Sequence, residues 1–166
     1  MYKPLKLTKD IFEKHIEDLS SFRHSYFLSQ STTFLSKDYV KGFLILAKGR
    51  PDSIVIADER SRKVVGLILL YPMREEYRDG SMVVLLSASE TIDIREFSDT
   101  IRSIVKDRIK KLKMYCLRST VLAEEHDQIS ILESLRFEKE VVMKDQAFYK
   151  GYKDAYVYTL FGENAC

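Results

Sequence analysis

Residues Val121–Phe137 read VLAEEHDQISILESLRF, the end of an apolar strand, an acidic turn and a short amphipathic helix. Immediately upstream, MYCLRSTVLA is the β-rich run that feeds this turn, and before it lies the most regular element of the chain. There Phe97, Ile101, Ile104, Val105, Ile109 and Leu112 recur at helical spacing, with Arg102, Lys106, Asp107, Lys110 and Lys111 largely opposite. Asp93 and Glu96 have the spacing of a capping box, in which the aspartate accepts the N–H at the glutamate and the glutamate reaches back. A helix between two strands of one sheet is a crossover, so Met82–Leu86 and Tyr115–Val121 are predicted to run parallel.

Further out on the N-terminal side, SIVIA from Ser53, VVGLILLY from Val64 and MVVLLSA from Met82 are joined by the turn DERSRK and the turn Met73–Ser81. Successive β-rich runs with short polar turns predict an antiparallel meander. The near-continuous apolar character of Val64–Tyr71 and Met82–Leu86 predicts strands covered on both faces by helices. Ahead of the meander, Leu5–Leu7 is a short first strand, and Thr8 caps a helix that sets Ile11, Phe12, His15, Ile16, Leu19 and Phe22 near one face. RHSYFLSQSTTFLS is a loop; Ser36 caps a second helix through Tyr39, Val40, Phe43, Leu44 and Ala47, closed by Gly49 and Pro51. After Phe137 come two long strands that reverse at Lys150-Gly151. The reading is one α/β domain over residues 1–166, a mixed central sheet of about six to seven strands flanked by about four helices.

Composition narrows the function classes. With 27 basic against 25 acidic residues the net charge is +2, too small an excess to favour nucleic acid as a partner. The cluster Lys106, Arg108, Lys110, Lys111 and Lys113 reads as a solvated helical face whose cations suit the helix C-terminus. Cys116 lies in an apolar run and Cys166 is the last residue, so no disulfide framework is expected and a cytoplasmic setting fits. The start MYKPLKLTKD has no apolar leader, and the longest apolar run, Val64–Tyr71, is too short to span a bilayer, so no membrane partner is expected. His15, His24 and His126 have no ligand spacing, and no metal site is expected.

The order of elements, together with the opening stretch, resembles the GNAT acetyltransferase superfamily over nearly the whole chain. The family often reads V-L-A-E-N-x-x-A-I-x-L-Y-E-K-L-G-F at this point. Without a gap, the chain matches at Val121, Leu122, Ala123, Glu124, Ile129, Glu133, Leu135 and Phe137. KEVVMKDQAFYKGYKDAYVYTL is similar to the family's closing hairpin, including Asp154 ahead of the last strand. The resemblance implies an N-acetyltransferase that moves an acetyl group from acetyl-CoA to a small-molecule or peptide amine. It also implies that strands four and five part, near Leu86 and Val121, around the acyl-CoA. Leu85, Leu86 and Ser87 would then lie against the donor, and Ile92, Asp93, Ile94, Arg95 and Phe97 would surround its pyrophosphate at the start of the third helix, a natural anion site.

Four departures from the family pattern bear on that expectation. The R-x-x-G-x-G/A phosphate loop is replaced by SETIDIREFS from Ser89, which has no glycine. Its acids Glu90, Asp93 and Glu96 oppose a pyrophosphate and leave Arg95 as the main counter-charge. The family's proton-donating tyrosine is Leu132, its asparagine is Glu125, and its glycine before the last aromatic is Arg136. Ser87, Glu90 and Glu125 are the candidate groups for handling a proton at the strand ends, with His126 beside them. Tyr26, Phe27, Phe34 and Tyr39 serve either as core or as an acceptor pocket. Two functions follow: an acetyltransferase with an atypical phosphate loop, or a GNAT-like domain without catalysis that binds or assembles, as a homodimer.

Overall fold

The computed structural model describes residues 1–22, 53–74, 78–148 and 152–162. Among them, seven strands form one sheet: β1 (Tyr2–Lys6), β2 (Ser53–Asp58), β3 (Val64–Arg74), β4 (Asp79–Leu86), β5 (Cys116–Leu122), β6 (Glu138–Phe148) and β7 (Tyr152–Phe161). Their spatial order is β1-β2-β3-β4-β5-β7-β6. The helices are α1 (Lys9–Lys14), α2 (Ile16–Ser20), α3 (Ile94–Lys111) and α4 (His126–Ser134). The second helix expected from Ser36, the aromatics beside it and the reversal at Lys150-Gly151 lie outside the described residues.

Alternation along the strands explains the continuous apolar runs. Met82, Val84 and Leu86 join a core with Phe97, Ile101, Val105 and Ile109 of α3 and Ile131, Leu132 and Leu135 in and after α4. Val83 and Leu85 point the other way, into a second core with Leu7, Leu19 and Phe22. Both faces of β4 are dry, as a strand between two helical layers requires. Gly66 leaves room for α3: a Cβ there would sit 2.5 Å from the Phe97 ring, so a larger residue would force the ring to shift. The α3 stripe is as predicted at Phe97, Ile101, Val105 and Ile109; Ile104 is half-buried, and Leu112 falls past the helix end, exposed.

Several boundaries differ from expectation, each for a tertiary reason. β1 begins at Tyr2 rather than Leu5 because β2 offers a partner to every residue from Tyr2 (opposite Asp58) to Lys6 (opposite Ile54). Thr8 caps α1 as predicted, its Oγ1 accepting from the Ile11 N–H at 3.3 Å. The helix then breaks at His15 (φ −117°, ψ 23°), and Phe22 leaves it to bridge Ser87. β3 runs on to Arg74 and β4 starts at Asp79, because their pairing continues past the expected turn to Arg74 and Asp79. β5 begins at Cys116, where its ladder with β4 and β7 starts.

Candidate functional site

β4 and β5 are parallel, paired at Asp79–Cys116, Gly80–Leu117 and Ser81–Arg118, and no further. The parting therefore starts at Met82 and Ser119, earlier than the expected Leu86 and Val121. The cause is divided loyalty in a twisted sheet: β4 stays in register with β3 up to Leu86, β5 stays with β7 up to Leu122, and the two halves twist away from each other. The parted ends of β4 and β5 lead into the starts of α3 and α4 respectively.

At the β5 side, the Ala123 N–H donates to the Asp154 carbonyl at 3.0 Å. Antiparallel alternation then turns the backbone groups of Thr120 and Leu122 away from β7, toward the parting. At Leu122 both are occupied by one residue. Its N–H donates to Glu125 Oε2 at 2.7 Å, and its carbonyl accepts from the Glu125 N–H at 3.0 Å. Glu125 stands at the N-cap of α4 yet makes no side-chain cap bond to the helix. Its carboxyl is pushed up to about 7 by burial, against the pull of the Leu122 N–H. Oε1 is buried without a hydrogen-bond partner among the described residues. A carboxyl held near neutrality where β4 and β5 are no longer paired has the acidity to accept a proton from a reacting group.

The α3 side is built in the opposite way. Asp93 Oδ1 accepts from the Glu96 N–H at 3.0 Å, the first half of the predicted capping box. The second half is supplied from elsewhere: the Asp93 N–H donates to the Tyr2 hydroxyl at 2.9 Å, where the Glu96 side chain was expected to reach back. Asp93, Arg95, Glu96, Asp99 and Thr100 line a shallow open depression of about 450 Å³. Arg102 is committed to Asp99 at 2.7 Å and to the Ser134 carbonyl at 3.1 Å.

The remaining candidates are spread over other surroundings. Ser87 is buried at the bridge to Phe22, with its hydroxyl 3.1 Å from that of Ser89 and 3.4 Å from that of Ser21. Glu90 pairs with Lys63 in the turn before β3. Leu85 and Leu86 are buried on opposite faces of β4, and Phe97 is fully buried over Gly66. Ile92 and Ile94 pack half-buried against the α3 core. His126 is exposed. Leu132 is fully buried, and the nearest tyrosine on that side does not replace a proton donor: the Tyr158 hydroxyl donates to Glu133 at 3.0 Å and is lifted to about 12, chiefly by burial. Arg136 holds a left-handed backbone, at φ 69°, ending α4 with the Phe137 N–H on the Leu132 carbonyl at 3.0 Å. Sequence reasoning missed Tyr2 and Lys63, whose partners are distant in the chain; only β1 and β3 pairing brings them in. Among the described residues no cluster of His, Cys, Asp and Glu could hold a metal, and no helix is long and apolar enough to cross a membrane.

No family model and no curated protein matches the sequence. Solved structures do match. A GNAT-family acetyltransferase from Bacillus anthracis superposes with a TM-score of 0.74 at 14% identity, covering 98% of this chain and 95% of that one. The ribosomal-protein-S5-alanine acetyltransferase from Vibrio fischeri gives 0.70 at 13%, covering 99% and 95%. The spermidine N-acetyltransferase from Vibrio cholerae, solved with CoA and spermine, gives 0.70 at 14%, covering 99% and 97%. The fold is that of the GNAT acetyltransferases.

Proposed function

We propose that the chain is an N-acyltransferase that holds an acyl thioester in the parting of β4 and β5 and transfers the acyl group, acetyl in the simplest case, to an amine. The observation that carries this reading is the buried Glu125 carboxyl, fixed on the parting side of β5 with one oxygen lacking a hydrogen-bond partner among the described residues. The amine nitrogen attacks the thioester carbonyl carbon, the C–S bond breaks, and the amine's proton passes to Glu125. The thiolate leaves without a tyrosine, since Leu132 has no proton to give, and is protonated by water; a thiol's ordinary pKa near 8.5 makes this leaving group tolerable at neutral pH. Alignment of amine and thioester supplies the rest of the acceleration.

Acetyl-CoA is the donor that the fold's relatives support, since one of them was solved with CoA. Its pantetheine arm suits the parted strand edges. Its diphosphate does not suit the start of α3, where an aspartate already caps the helix and no glycine lets the backbone come close. The acceptor class is a small-molecule or peptide amine, as for relatives named for spermidine and for a ribosomal-protein-S5 alanine. The second reading, a domain that binds or assembles without catalysis, is favoured by Leu132 and by the occupied α3 start. Incubating the protein with acetyl-CoA and either spermidine or an alanyl peptide, and following free thiol and acetylated product, separates the two. Product formation is expected; a well-folded protein that acetylates neither amine from any acetyl thioester overturns the acyltransferase reading.

A further inference from the structure

An anion held at the start of α3 would need its backbone donors, and the chain has already spent two of the four. The helix opens with four N–H groups that have no intrahelical acceptor, at Asp93, Ile94, Arg95 and Glu96. Two are taken, Asp93's by the Tyr2 hydroxyl and Glu96's by the Asp93 carboxylate. Two donors of the loop before the helix are committed as well: the Ala88 N–H donates to the Ser21 carbonyl at 3.2 Å and the Ser89 N–H to Ser87 Oγ at 3.3 Å. The Asp93 carboxylate is itself the anion at the positive end of the helix, and because it is tethered there a diphosphate must compete with it at high effective concentration. Glu96 and Asp99 line the same depression, with Arg95 as its cation. In the parting, by contrast, β4 beyond Ser81 and β5 at Thr120 have no strand partner on that side, Leu122 alone being taken by Glu125, and such edge N–H and C=O groups suit an amide-bearing arm.

We infer that the donor is recognised through its acylated pantetheine arm alone, and that the 3′-phosphoadenosine diphosphate of CoA adds no useful affinity. This rests on the acyltransferase reading for the reaction, though not for binding. The same arm occurs free, on CoA and on carrier proteins, so the chemistry recognised is the pantetheine thioester whatever it is attached to.

The test compares three donors, S-acetylpantetheine, acetyl-CoA and an acetylated holo carrier protein, by kcat/KM with a fixed amine, and measures the binding of pantetheine and CoA by calorimetry. The expected result is acetyl-CoA within about tenfold of S-acetylpantetheine, with the carrier arm showing whether a protein-borne arm also serves. Asp93→Asn, which keeps the cap and removes the charge, is expected to improve acetyl-CoA by a few fold and leave S-acetylpantetheine unchanged. A preference for acetyl-CoA well above tenfold, or CoA binding that far exceeds pantetheine binding, overturns the inference. If neither compound binds, the inference fails together with the acyltransferase reading. If both bind alike and no donor reacts, only the catalytic reading falls.

Discussion

Asp93 and Glu125 both stand at the N-cap of a helix at the parted end of the sheet, one after β4 and one after β5. Asp93 is exposed and spends its charge on its own helix, on the Glu96 N–H. Glu125 turns back to the strand it came from, is largely buried, and titrates near 7. The residue type hardly differs, and position in the chain does not distinguish them; what differs is which backbone donor the carboxylate meets and how much water reaches it. The contrast teaches that a carboxylate at a helix start caps its own helix or turns back to the preceding strand, where burial favours its neutral form, according to its tertiary surroundings. Four substitutions break or sharpen it.

The largest effect is expected from Glu125→Gln on the reaction. Removing a positioned base lowers kcat by about 10²-fold or more, and the acid limb of the wild-type pH–rate profile, with a midpoint near 7, disappears. Steady-state acetylation across pH 5–9 checks this; unchanged kcat would return Glu125 to a purely structural role. The same variant changes stability in a pH-dependent way. A carboxyl raised from 4.5 to about 7 in the folded state costs stability as pH climbs through that window, and the cost stays in full above it. Glu125→Gln is therefore expected to be about as stable as wild type near pH 4 and more stable by roughly 1–3 kcal/mol at pH 9, as thermal or urea unfolding at the two pH values reads out.

At the α3 start the effects are ordinary ones. Asp93→Ala removes the cap and is expected to cost about 1 kcal/mol; the denaturant midpoint is the check. Tyr2→Phe frees the Asp93 N–H and is expected to cost about 0.5–1 kcal/mol, again by denaturant midpoint. At the far end of α4, Arg136→Gly relieves a left-handed residue and is expected to gain up to about 1 kcal/mol. A loss of stability there would mean that the Arg136 side chain does more than tolerate its backbone.

Much of the architecture was legible from periodicity. The α3 stripe, the Thr8 and Asp93 caps, the β2–β3–β4 meander, the parallel β4–β5 pair and the closing hairpin each rest on local spacing or on a chirality rule that spans one crossover. Of the candidate proton-handling residues, Ser87 and Glu90 proved to be tied to Ser21, Ser89 and Lys63, contacts that no spacing announces. Arg136 shows the reverse case: the position where the resembling pattern has glycine adopts the left-handed backbone that glycine favours, with an arginine in place.

By itself, then, the sequence determined the alternation of strands and helices, because side-chain period and capping chemistry act over a few residues. It also determined the absence of glycine from the loop before α3 and of a hydroxyl at Leu132. Only the tertiary structure decided where β4 and β5 part, since that depends on how far each strand follows its other neighbour in a twisted sheet. It alone decided that Tyr2 completes the α3 cap and that Glu125 keeps its proton to near neutrality, because hydrogen-bond partners and desolvation are set by what packs around a group and not by the residues beside it in the chain.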